Sequence, residues 1–386
     1  MTYNFDEIIP RRNTNSLKWD AAANDQVLPM WVADMDFRTA PAITEAIIRR
    51  AQHGIFGYSK VPAPYYDAVT GWFGRRYHFT IQNDWILYTT GVVPAVSAII
   101  KALTVPGDHV IVQTPVYNCF FSSIRNNQCL ISANELIYRD GVYSIDFDDL
   151  DRKTSDPKAK VLLICSPHNP AGRAWTKDEL IRIGEICLRN QVVVLSDEIH
   201  CDLVFHGHTH IPFASINKKF LQNSVTCTSP SKTFNMAGLQ VANIIAADEE
   251  LRQIIDKSLN INEVCDINAF AADALIAAYN EGETWLEALK EYVFANYLYL
   301  KNFIQTEIPL IKVLPLEATY LVWLDISATG QSSRAYAETL LKKQNLWVNA
   351  GTIYGSNGEG FIRMNIACPR QLLTEGLAKL KLKIEN

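Results

Sequence analysis

Short apolar runs alternate with helical stretches between about residue 45 and residue 280. Continuous apolar runs of this kind are typical of strands that are covered on both faces. Alternation of strands and helices with short connections favours a mostly parallel sheet. We therefore predict an α/β fold with a mostly parallel mixed sheet between helices. The predicted strands are WILYTT (85–90), HVIVQT (109–114), VLLICS (161–166), VVVLSD (192–197), SVTCTS (224–229) and VANIIAAD (241–248).

One intervening helix has a clear start signal. Thr176 and Glu179 form a capping-box pair. Leu180, Ile183 and Cys187 then fall on one helical face. This spacing predicts a helix that starts after Thr176.

The pattern changes after about residue 282, where a long helical stretch (284–308) begins. Strand-like TYLVWLDI (319–326) and GFIRMNIA (360–367) follow, with a helix (332–345) between them and a Lys- and Leu-rich helix at the end. The first 44 residues contain several prolines and little periodicity. We therefore predict three parts, which are an N-terminal arm (1–44) that packs with the small domain, a large α/β domain (45–282) and a smaller α+β domain (283–386).

Composition narrows the class of protein. The 386 residues are 48% hydrophobic and 20% charged, with a formal net charge of -5, and they contain no basic stripe. This balance argues against a nucleic-acid partner. No apolar run reaches the length of a membrane span, and the N-terminus MTYNFDEIIPRR differs from a signal peptide. We expect a cytoplasmic protein with no membrane partner.

The eight cysteines are scattered and include no C-x-x-C pair. We expect them to be reduced and mostly buried. His206, His208 and His210 alternate in HGHTH, but no carboxylate or cysteine ligand is suitably placed among them. We therefore expect no metal site. The cysteines are Cys119, Cys129, Cys165, Cys187, Cys201, Cys227, Cys265 and Cys368.

Three polar clusters follow predicted strands. They are SPHNPAGRAW (166–175), SDEIHCD (196–202) and SPSKTFNMAG (229–238). Ligands of open α/β sheets bind at the carboxyl ends of the strands. Each cluster alone is weak evidence for a ligand site, because Asn-Pro is a common turn and a strand-end aspartate is often a helix cap. Together they predict a ligand site.

A glycine turn also follows the first predicted strand. Thr90-Gly91-Val92-Val93-Pro94 opens the helical stretch AVSAIIKAL. The backbone N–H groups at a helix N-terminus form a ready anion site. The alternative is a simple tight turn between a strand and a helix.

The combination of Asn-Pro-x-Gly, Asp and Ser-x-x-Lys elements resembles the fold-type I pyridoxal-phosphate enzymes of the aminotransferase class I/II superfamily. The resemblance implies the aspartate-aminotransferase fold and pyridoxal 5'-phosphate as cofactor. It also implies that Lys232 binds the cofactor through a Schiff base, that Asp197 pairs with the pyridine nitrogen and that Asn169 bonds the phenolic oxygen. The expected phosphate ligands are Gly91, Val92, Val93, Ser229 and Ser231.

Three further residues match the same family. Tyr117 matches the aromatic residue that stacks on the cofactor ring. Arg363 matches the arginine that binds the substrate α-carboxylate as a bidentate fork. Tyr58 resembles the tyrosine that reaches the phosphate of a neighbouring subunit, which implies a homodimer.

Two departures separate this chain from ordinary aspartate aminotransferases. Gln240 stands where many have a phosphate-binding arginine, and His200 stands where many have a tyrosine. Both are normal in the cystathionine β-lyase or C–S lyase branch. The segments similar to that branch are LPMWVADMDF (28–37), GVVPAVSAII (91–100), SDEIHCDLVF (196–205), SKTFNMAGLQ (231–240) and ATYLVWLD (318–325).

The resemblance therefore implies a pyridoxal-phosphate-dependent C–S β-lyase. Its substrate would be L-cystathionine, L-cysteine or a related cysteine S-conjugate, and its products a thiol, pyruvate and ammonia. Lys232 would also be the base, His200 would contact the cofactor, and the backbone of Ala33 with Asn169 and Arg363 would hold the carboxylate. Three alternatives remain, which are a broad-specificity aminotransferase, a regulatory or binding protein on the same scaffold, and a plain structural protein. The last is the least expected, because a buried lysine and aspartate at strand ends are costly without a ligand.

Overall fold

The computed structural model describes residues 3–22, 24–261 and 266–381. Its strands are β1 (Leu28–Pro29), β2 (Ile86–Thr89), β3 (His109–Val112), β4 (Leu130–Ala133), β5 (Ile137–Arg139), β6 (Val142–Ser144), β7 (Ala159–Cys165), β8 (Val193–Asp197), β9 (Ser224–Thr228), β10 (Ala242–Ile245), β11 (Lys312–Val313), β12 (Leu321–Asp325), β13 (Leu346–Trp347), β14 (Asn349–Ala350) and β15 (Phe361–Asn365).

Its α-helices are α1 (Leu17–Asp20), α2 (Pro41–His53), α3 (Ala63–Tyr77), α4 (Val92–Leu103), α5 (Cys119–Asn126), α6 (Phe147–Thr154), α7 (Lys177–Arg189), α8 (Lys218–Gln222), α9 (Pro230–Thr233), α10 (Glu249–Asn260), α11 (Ala271–Glu281), α12 (Glu283–Glu307), α13 (Ser333–Gln344) and α14 (Arg370–Lys381). None of the helices in the described ranges has the length and apolar character needed to cross a bilayer.

A seven-stranded sheet is the centre of the larger part of the molecule. Its strand order is β2-β10-β9-β8-β7-β3-β4. The pairs among β4, β3, β7, β8 and β9 are parallel, and β10 is antiparallel to β9 and to β2. The predicted mostly parallel mixed sheet is confirmed, and all six predicted strands belong to it.

Both faces of this sheet are buried. In β7, Leu162 and Ile164 join one hydrophobic cluster, which includes residues of α7. Val161 and Leu163 of the same strand join another cluster, which includes residues of α4. Because successive side chains of a strand point to opposite faces, helices cover the sheet on both sides. This arrangement explains why the sequence shows continuous apolar runs.

Helix α7 begins as its start signal predicts. The Thr176 hydroxyl accepts a hydrogen bond from the Glu179 N–H at 3.2 Å, and the Glu179 carboxylate accepts one from the Thr176 N–H at 2.8 Å. Leu180, Ile183 and Cys187 are buried on the predicted face. The capping box and the apolar face therefore specify this helix together.

A second sheet lies in the C-terminal part of the chain. It is antiparallel, with the strand order β11-β12-β15-β14. Helix α12 packs on α14 and β11, and α13 packs on β14 and β15. The register places Trp323 of β12 opposite Arg363 of β15. This sheet therefore fixes the position of Arg363.

The N-terminal residues pack against the C-terminal part. Strand β1 pairs in parallel with β13, so that Leu28 lies opposite Leu346. The rings of Trp31 and Trp347 stack with centroids 4.5 Å apart. Helix α11 ends one residue before position 282, and α12 begins one residue after it. The division into an arm, a large domain and a small domain stays a prediction.

Seven short strands were not predicted, namely β1, β4, β5, β6, β11, β13 and β14. β4 is the last strand at one edge of the large sheet, and its Leu130 is exposed. β5 and β6 form a short separate hairpin. Partly exposed short strands carry a weak apolar signal, which explains the omission.

Six of the eight cysteines are buried, as expected, and Cys119 is partly exposed. Cys265 lies outside the described residues. The seven cysteines that the structure describes are free thiols.

Candidate active site

A pocket lies at the carboxyl ends of the central strands. Its empty volume is about 780 Å³, including its open mouth. Predicted site residues from six separate segments of the chain line it. These residues are Ala33, Gly91, Val92, Val93, Tyr117, Asn169, Asp197, His200, Ser231 and Lys232.

The N-terminus of α4 forms one wall of the pocket. Gly91 occupies the N-cap position, and no side chain caps this end of the helix. The first N–H groups of a helix have no partner within the helix, so those of Val92 and Val93 are available to a ligand. Anions bind well at such a position. This wall suits a phosphate group.

The two predicted phosphate serines differ in position. Ser231 lines the pocket. Ser229 is buried outside the lining and caps α9, because its hydroxyl accepts from the Ser231 N–H at 3.0 Å. The same hydroxyl donates to the Val241 carbonyl at 2.6 Å. A phosphate contact by Ser229 would require the hydroxyl to exchange one of these bonds.

Asp197 is a buried carboxylate at the end of β8. The sheet register places it between Cys165 and Cys227, and its Oδ1 accepts from the Ile199 N–H at 3.1 Å. Burial raises the pKa of Asp197 to about 7, because a carboxylate loses its hydration there. A cationic group beside it would restore the charged form. A protonated pyridine nitrogen is such a group.

Lys232 lies near the end of the short helix α9, and its partly buried side chain lines the pocket. Its Nζ donates a hydrogen bond to the Ala33 carbonyl at 2.7 Å. Burial lowers the pKa of Lys232, Arg363 lowers it further, and Asp34 and Asp197 oppose these effects. A lowered pKa increases the fraction of neutral amine, which is the nucleophilic and basic form.

Arg363 is a buried cation beside the pocket, 4% exposed. Its Nη1 donates to Asn169 Oδ1 at 3.0 Å, and its Nη2 donates to the Trp31 carbonyl at 2.8 Å. The Tyr354 ring lies 4.9 Å from the guanidinium carbon, and the Nε has no hydrogen-bond partner. Within the described residues no carboxylate pairs with it. A buried guanidinium without a counter-ion is a site for an anion such as a carboxylate.

Tyr117 and His200 supply neutral side chains to the pocket. Burial raises the pKa of Tyr117, so the phenol stays protonated. Burial, together with the positive charges of Lys232 and Arg363, lowers the pKa of His200 to about 3. The His200 Nδ1 has no hydrogen-bond partner and is therefore available to a ligand.

Tyr58 and the three histidines of HGHTH lie elsewhere. Tyr58 is fully exposed, outside the pocket lining. None of the histidines lines the pocket, and the buried His210 bonds Glu198 at 3.0 Å through Nε2. In the part of the chain that the structure describes, no group of histidine, cysteine or carboxylate side chains is arranged to hold a metal ion.

Several residues in or near the site were not predicted from the sequence. Cys165, Ile199 and Ala237 line the pocket. Tyr320 donates its hydroxyl to the Ala33 carbonyl at 2.9 Å. Its segment ATYLVWLD was found similar to the C–S lyase branch, which was the available signal. The ring of Tyr354 lies on the guanidinium of Arg363, and no sequence signal marked it.

The donor set fits pyridoxal phosphate. The buried carboxylate of Asp197 needs a cation, and the free N–H groups of α4 need an anion. Because Asn169 Oδ1 already accepts from Arg363, its amide nitrogen is left for the phenolic oxygen. Lys232 presents an amine in the same pocket. These residues would hold the ring nitrogen, the phosphate, the phenolic oxygen and the aldehyde carbon of the cofactor, respectively.

Comparisons with known proteins show the family of this chain. Residues 25–380 match the family described as "Aminotransferase class I and II". The chain is 44% identical over 382 residues to "Cystathionine beta-lyase PatB" of Bacillus subtilis (strain 168), covering 98% of this chain and 99% of that one. The chain therefore belongs to the aminotransferase class I and II family.

Two solved structures show the same fold. Cystalysin from Treponema denticola, which contains pyridoxal 5'-phosphate, superposes with a TM-score of 0.97 at 36% identity, covering 100% of this chain and 99% of that chain. The pyridoxal-phosphate-bound C–S lyase from Staphylococcus hominis superposes with a TM-score of 0.93 at 36% identity, covering 100% of both chains. The predicted fold class is confirmed.

Proposed function

We propose that this chain is a pyridoxal-phosphate-dependent C–S β-lyase. It cleaves L-cystathionine or a related cysteine S-conjugate, with uptake of one water molecule, to a thiol, pyruvate and ammonia. The observation that carries the proposal is the convergence of Lys232 and Asp197 on one pocket, beside Arg363, in a chain similar over its whole length to a cystathionine β-lyase.

One set of residues binds and orients the cofactor. When bound, pyridoxal phosphate supplies an electron sink for the carbanion at the substrate Cα. Asp197 provides the negative charge that keeps the ring nitrogen protonated. Tyr117 covers the ring, and the N-terminus of α4 holds the phosphate. These contacts orient the cofactor and set its charge.

Arg363 and Lys232 act on the substrate. Arg363 binds the α-carboxylate in the buried position where it has no counter-ion, with Asn169 and the backbone of Ala33 beside it. Lys232 Nζ, whose pKa is lowered by burial, takes the proton from Cα. The C–S bond at Cβ then breaks, and the sulfur leaves as a thiolate that must gain a proton. The ammonium of Lys232 is the proton donor we assign to this step.

The first test is an assay without any keto acid. The purified protein, supplied with pyridoxal phosphate and L-cystathionine, should release pyruvate and free thiol at equal rates. β-Elimination yields one of each per turnover, so the ratio identifies the reaction. Cofactor binding without either product would contradict the lyase assignment for this substrate.

A broad-specificity aminotransferase is the second candidate. The family to which the chain belongs supports it, because transamination and elimination begin with the same removal of the Cα proton. Turnover that requires an added keto acid and yields no thiol would establish it. A purely regulatory or binding protein is the third candidate, and the retention of Lys232, Asp197, Asn169 and Arg363 together argues against it.

We further propose that the active enzyme is a cytoplasmic homodimer. Residues 54–62 form an extended segment without regular structure, and three of its apolar side chains are exposed. Ile55 is 67% exposed, Phe56 56% and Tyr58 100%. Clustered exposed apolar side chains are typical of a protein–protein interface. A tyrosine at this surface can reach the phosphate of the partner subunit's cofactor.

A hybrid dimer tests this role of Tyr58. Tyr58→Ala should weaken cofactor binding by about tenfold or more, because a hydrogen bond to a charged group is lost. Lys232→Ala should be inactive. In a hybrid dimer of these two variants, one site has both its own Lys232 and the Tyr58 of the other subunit. We expect about half of the wild-type turnover per dimer. The cofactor concentration is chosen to saturate sites that have Tyr58 and not sites that lack it.

The two homodimeric variants are the controls for this experiment. Each carries its defect in both sites, so each should be much less active than the hybrid at the same cofactor concentration. A hybrid no more active than the Tyr58→Ala protein would show that Tyr58 does not act across the interface.

A further inference from the structure

Two side chains of β15 hold one short stretch of the N-terminal backbone. Arg363 Nη2 donates to the Trp31 carbonyl at 2.8 Å. Asn365 Nδ2 donates to the carbonyls of Val32 and Asp34, each at 2.6 Å. Side chains two positions apart on a strand point to the same face. Arg363 and Asn365 therefore bind this stretch of backbone from one side.

The amide of Asn365 is buried, and its orientation is fixed. The residue is 2% exposed. Its Oδ1 accepts a hydrogen bond from the Ala367 N–H at 2.8 Å, so the NH₂ group faces the two carbonyls. The backbone N–H of Asn365 also donates to the Met30 carbonyl at 2.9 Å. The amide has two N–H groups, and it supplies one to each of the two carbonyls.

The hydrogen bond from this amide to Val32 fixes the direction of the Ala33 N–H. Both groups belong to one trans peptide unit, in which the carbonyl and the N–H point in opposite directions. The peptide unit of Asp34 and Met35 shows the consequence. Its carbonyl accepts from the same amide, and its N–H donates at 2.9 Å to Asn235, which follows α9. The Ala33 N–H therefore also points away from β15, at a residue that lines the pocket.

The functional groups of the pocket lie close to Ala33. Lys232 Nζ donates to the Ala33 carbonyl at 2.7 Å. Arg363, which holds the Trp31 carbonyl two positions before Ala33, donates from its Nη1 to Asn169 Oδ1 at 3.0 Å. A carboxylate bound by the guanidinium has further lone pairs, so it can also accept from the Ala33 N–H.

We propose that Asn365 is a positioning residue for the α-carboxylate of the substrate: by holding the carbonyls on both sides of Ala33, it directs the Ala33 N–H to the carboxylate that Arg363 binds. The inference rests on the proposed function, in which Ala33 and Arg363 hold this carboxylate. A backbone donor that is already fixed loses little conformational freedom when the ligand binds. Asn365 thus lowers the concentration of amino acid that fills the site.

Two ligands that differ only in the carboxylate test this role in the cofactor-loaded, full-length protein. L-Alanine carries the α-carboxylate, and ethylamine is the same amine without it. The initial change in the visible absorption of the cofactor, followed against ligand concentration, gives the half-saturation concentration of each. Asn365→Ala should raise this concentration by about tenfold or more for L-alanine, because a hydrogen bond to a charged group is lost. The value for ethylamine should stay unchanged.

Asn296→Ala is the matched control. Asn296 on α12 is fully buried, and its Nδ2 also donates to two carbonyls, those of Ile366 at 3.0 Å and Cys368 at 2.8 Å. This variant loses a comparable set of buried hydrogen bonds, but none of them involves residues 31–34. It should lower the stability of the protein and leave the ratio of the two half-saturation concentrations unchanged.

An equal rise for both ligands in Asn365→Ala would overturn the inference, because it would show general damage to the site. An unchanged value for L-alanine would overturn it as well. If Asn365→Ala does not fold, Asn365→Asp replaces it. This variant keeps the acceptor for the Ala367 N–H, and it should raise the value for L-alanine alone.

The result is independent of the cystathionine assay, because neither ligand has a leaving group at Cβ. A failed cystathionine assay together with a loss specific to L-alanine would overturn the lyase assignment and leave the role of Asn365 in place. An active lyase whose Asn365→Ala variant binds both ligands normally would overturn only the role of Asn365.

Discussion

Lys232→Ala is expected to lose pyruvate and thiol release by about 10⁴-fold or more. A general base alone contributes up to about 10⁴-fold, and this variant also loses the amine that bonds the cofactor. No other lysine lines the pocket in the described part of the chain, so no second amine there can replace Lys232. Turnover with L-cystathionine and the visible absorption of the bound cofactor measure the two losses separately.

A matched control is Lys342→Ala, which removes a lysine whose side chain is 71% exposed on α13 and should leave turnover unchanged. Adding a small primary amine to the Lys232→Ala protein should restore part of the activity, because the missing group is an amine. Turnover near the wild-type rate without added amine would show that Lys232 is not the essential base.

Asp197→Asn is expected to slow elimination by about 10²- to 10³-fold. The carboxylate keeps the ring nitrogen protonated, and an opposite charge at this distance shifts a pKa by about 1–3 units, or about 1.4–4 kcal/mol. Asparagine has the same shape but no charge. The measurement is kcat at saturating cofactor, and a loss smaller than about tenfold would show that Asp197 is not the partner of the ring nitrogen.

The same variant should not destabilise the cofactor-free protein. Burial raises the pKa of Asp197 from 3.8 to about 7, a difference that corresponds to about 4 kcal/mol. Because the folded state favours the neutral acid, wild-type stability falls as the pH rises from about 4 through about 7. Asparagine does not titrate, so the variant should unfold at an equal or higher temperature than the wild type at pH 8. A lower unfolding temperature would indicate structural damage instead of a lost charge.

Much of the large sheet was predictable because its signals are local. Strands β7, β8 and β9 are covered on both faces, so each appears in the sequence as a continuous apolar run. The polar clusters after these runs were predicted to form one site, and Asn169, Asp197 and Lys232 line one pocket. Parallel strands bring their carboxyl ends to the same edge, which converts order along the chain into proximity.

Other features were not predictable from the chain. Strand β4 lies at the sheet edge and its apolar pattern is short, so the local signal is weak. Ser229 follows a strand as Asp197 does, yet its hydroxyl caps α9 and bonds Val241. A serine hydroxyl can form a hydrogen bond with the backbone of a turn or with a ligand. Only the folded backbone shows which of these partners is within reach.

The sequence by itself determined the α/β class, the central strands and the residue types of the cofactor site, because periodicity, strand ends and motif spacing are local properties of the chain. The tertiary structure alone decided how the amine of Lys232 is held. Its partner, the Ala33 carbonyl, lies 199 positions away in the chain and also accepts from the Tyr320 hydroxyl, 287 positions away from it. Contacts between such distant positions leave no periodic pattern, because they arise only when packing of the two sheets brings the segments together.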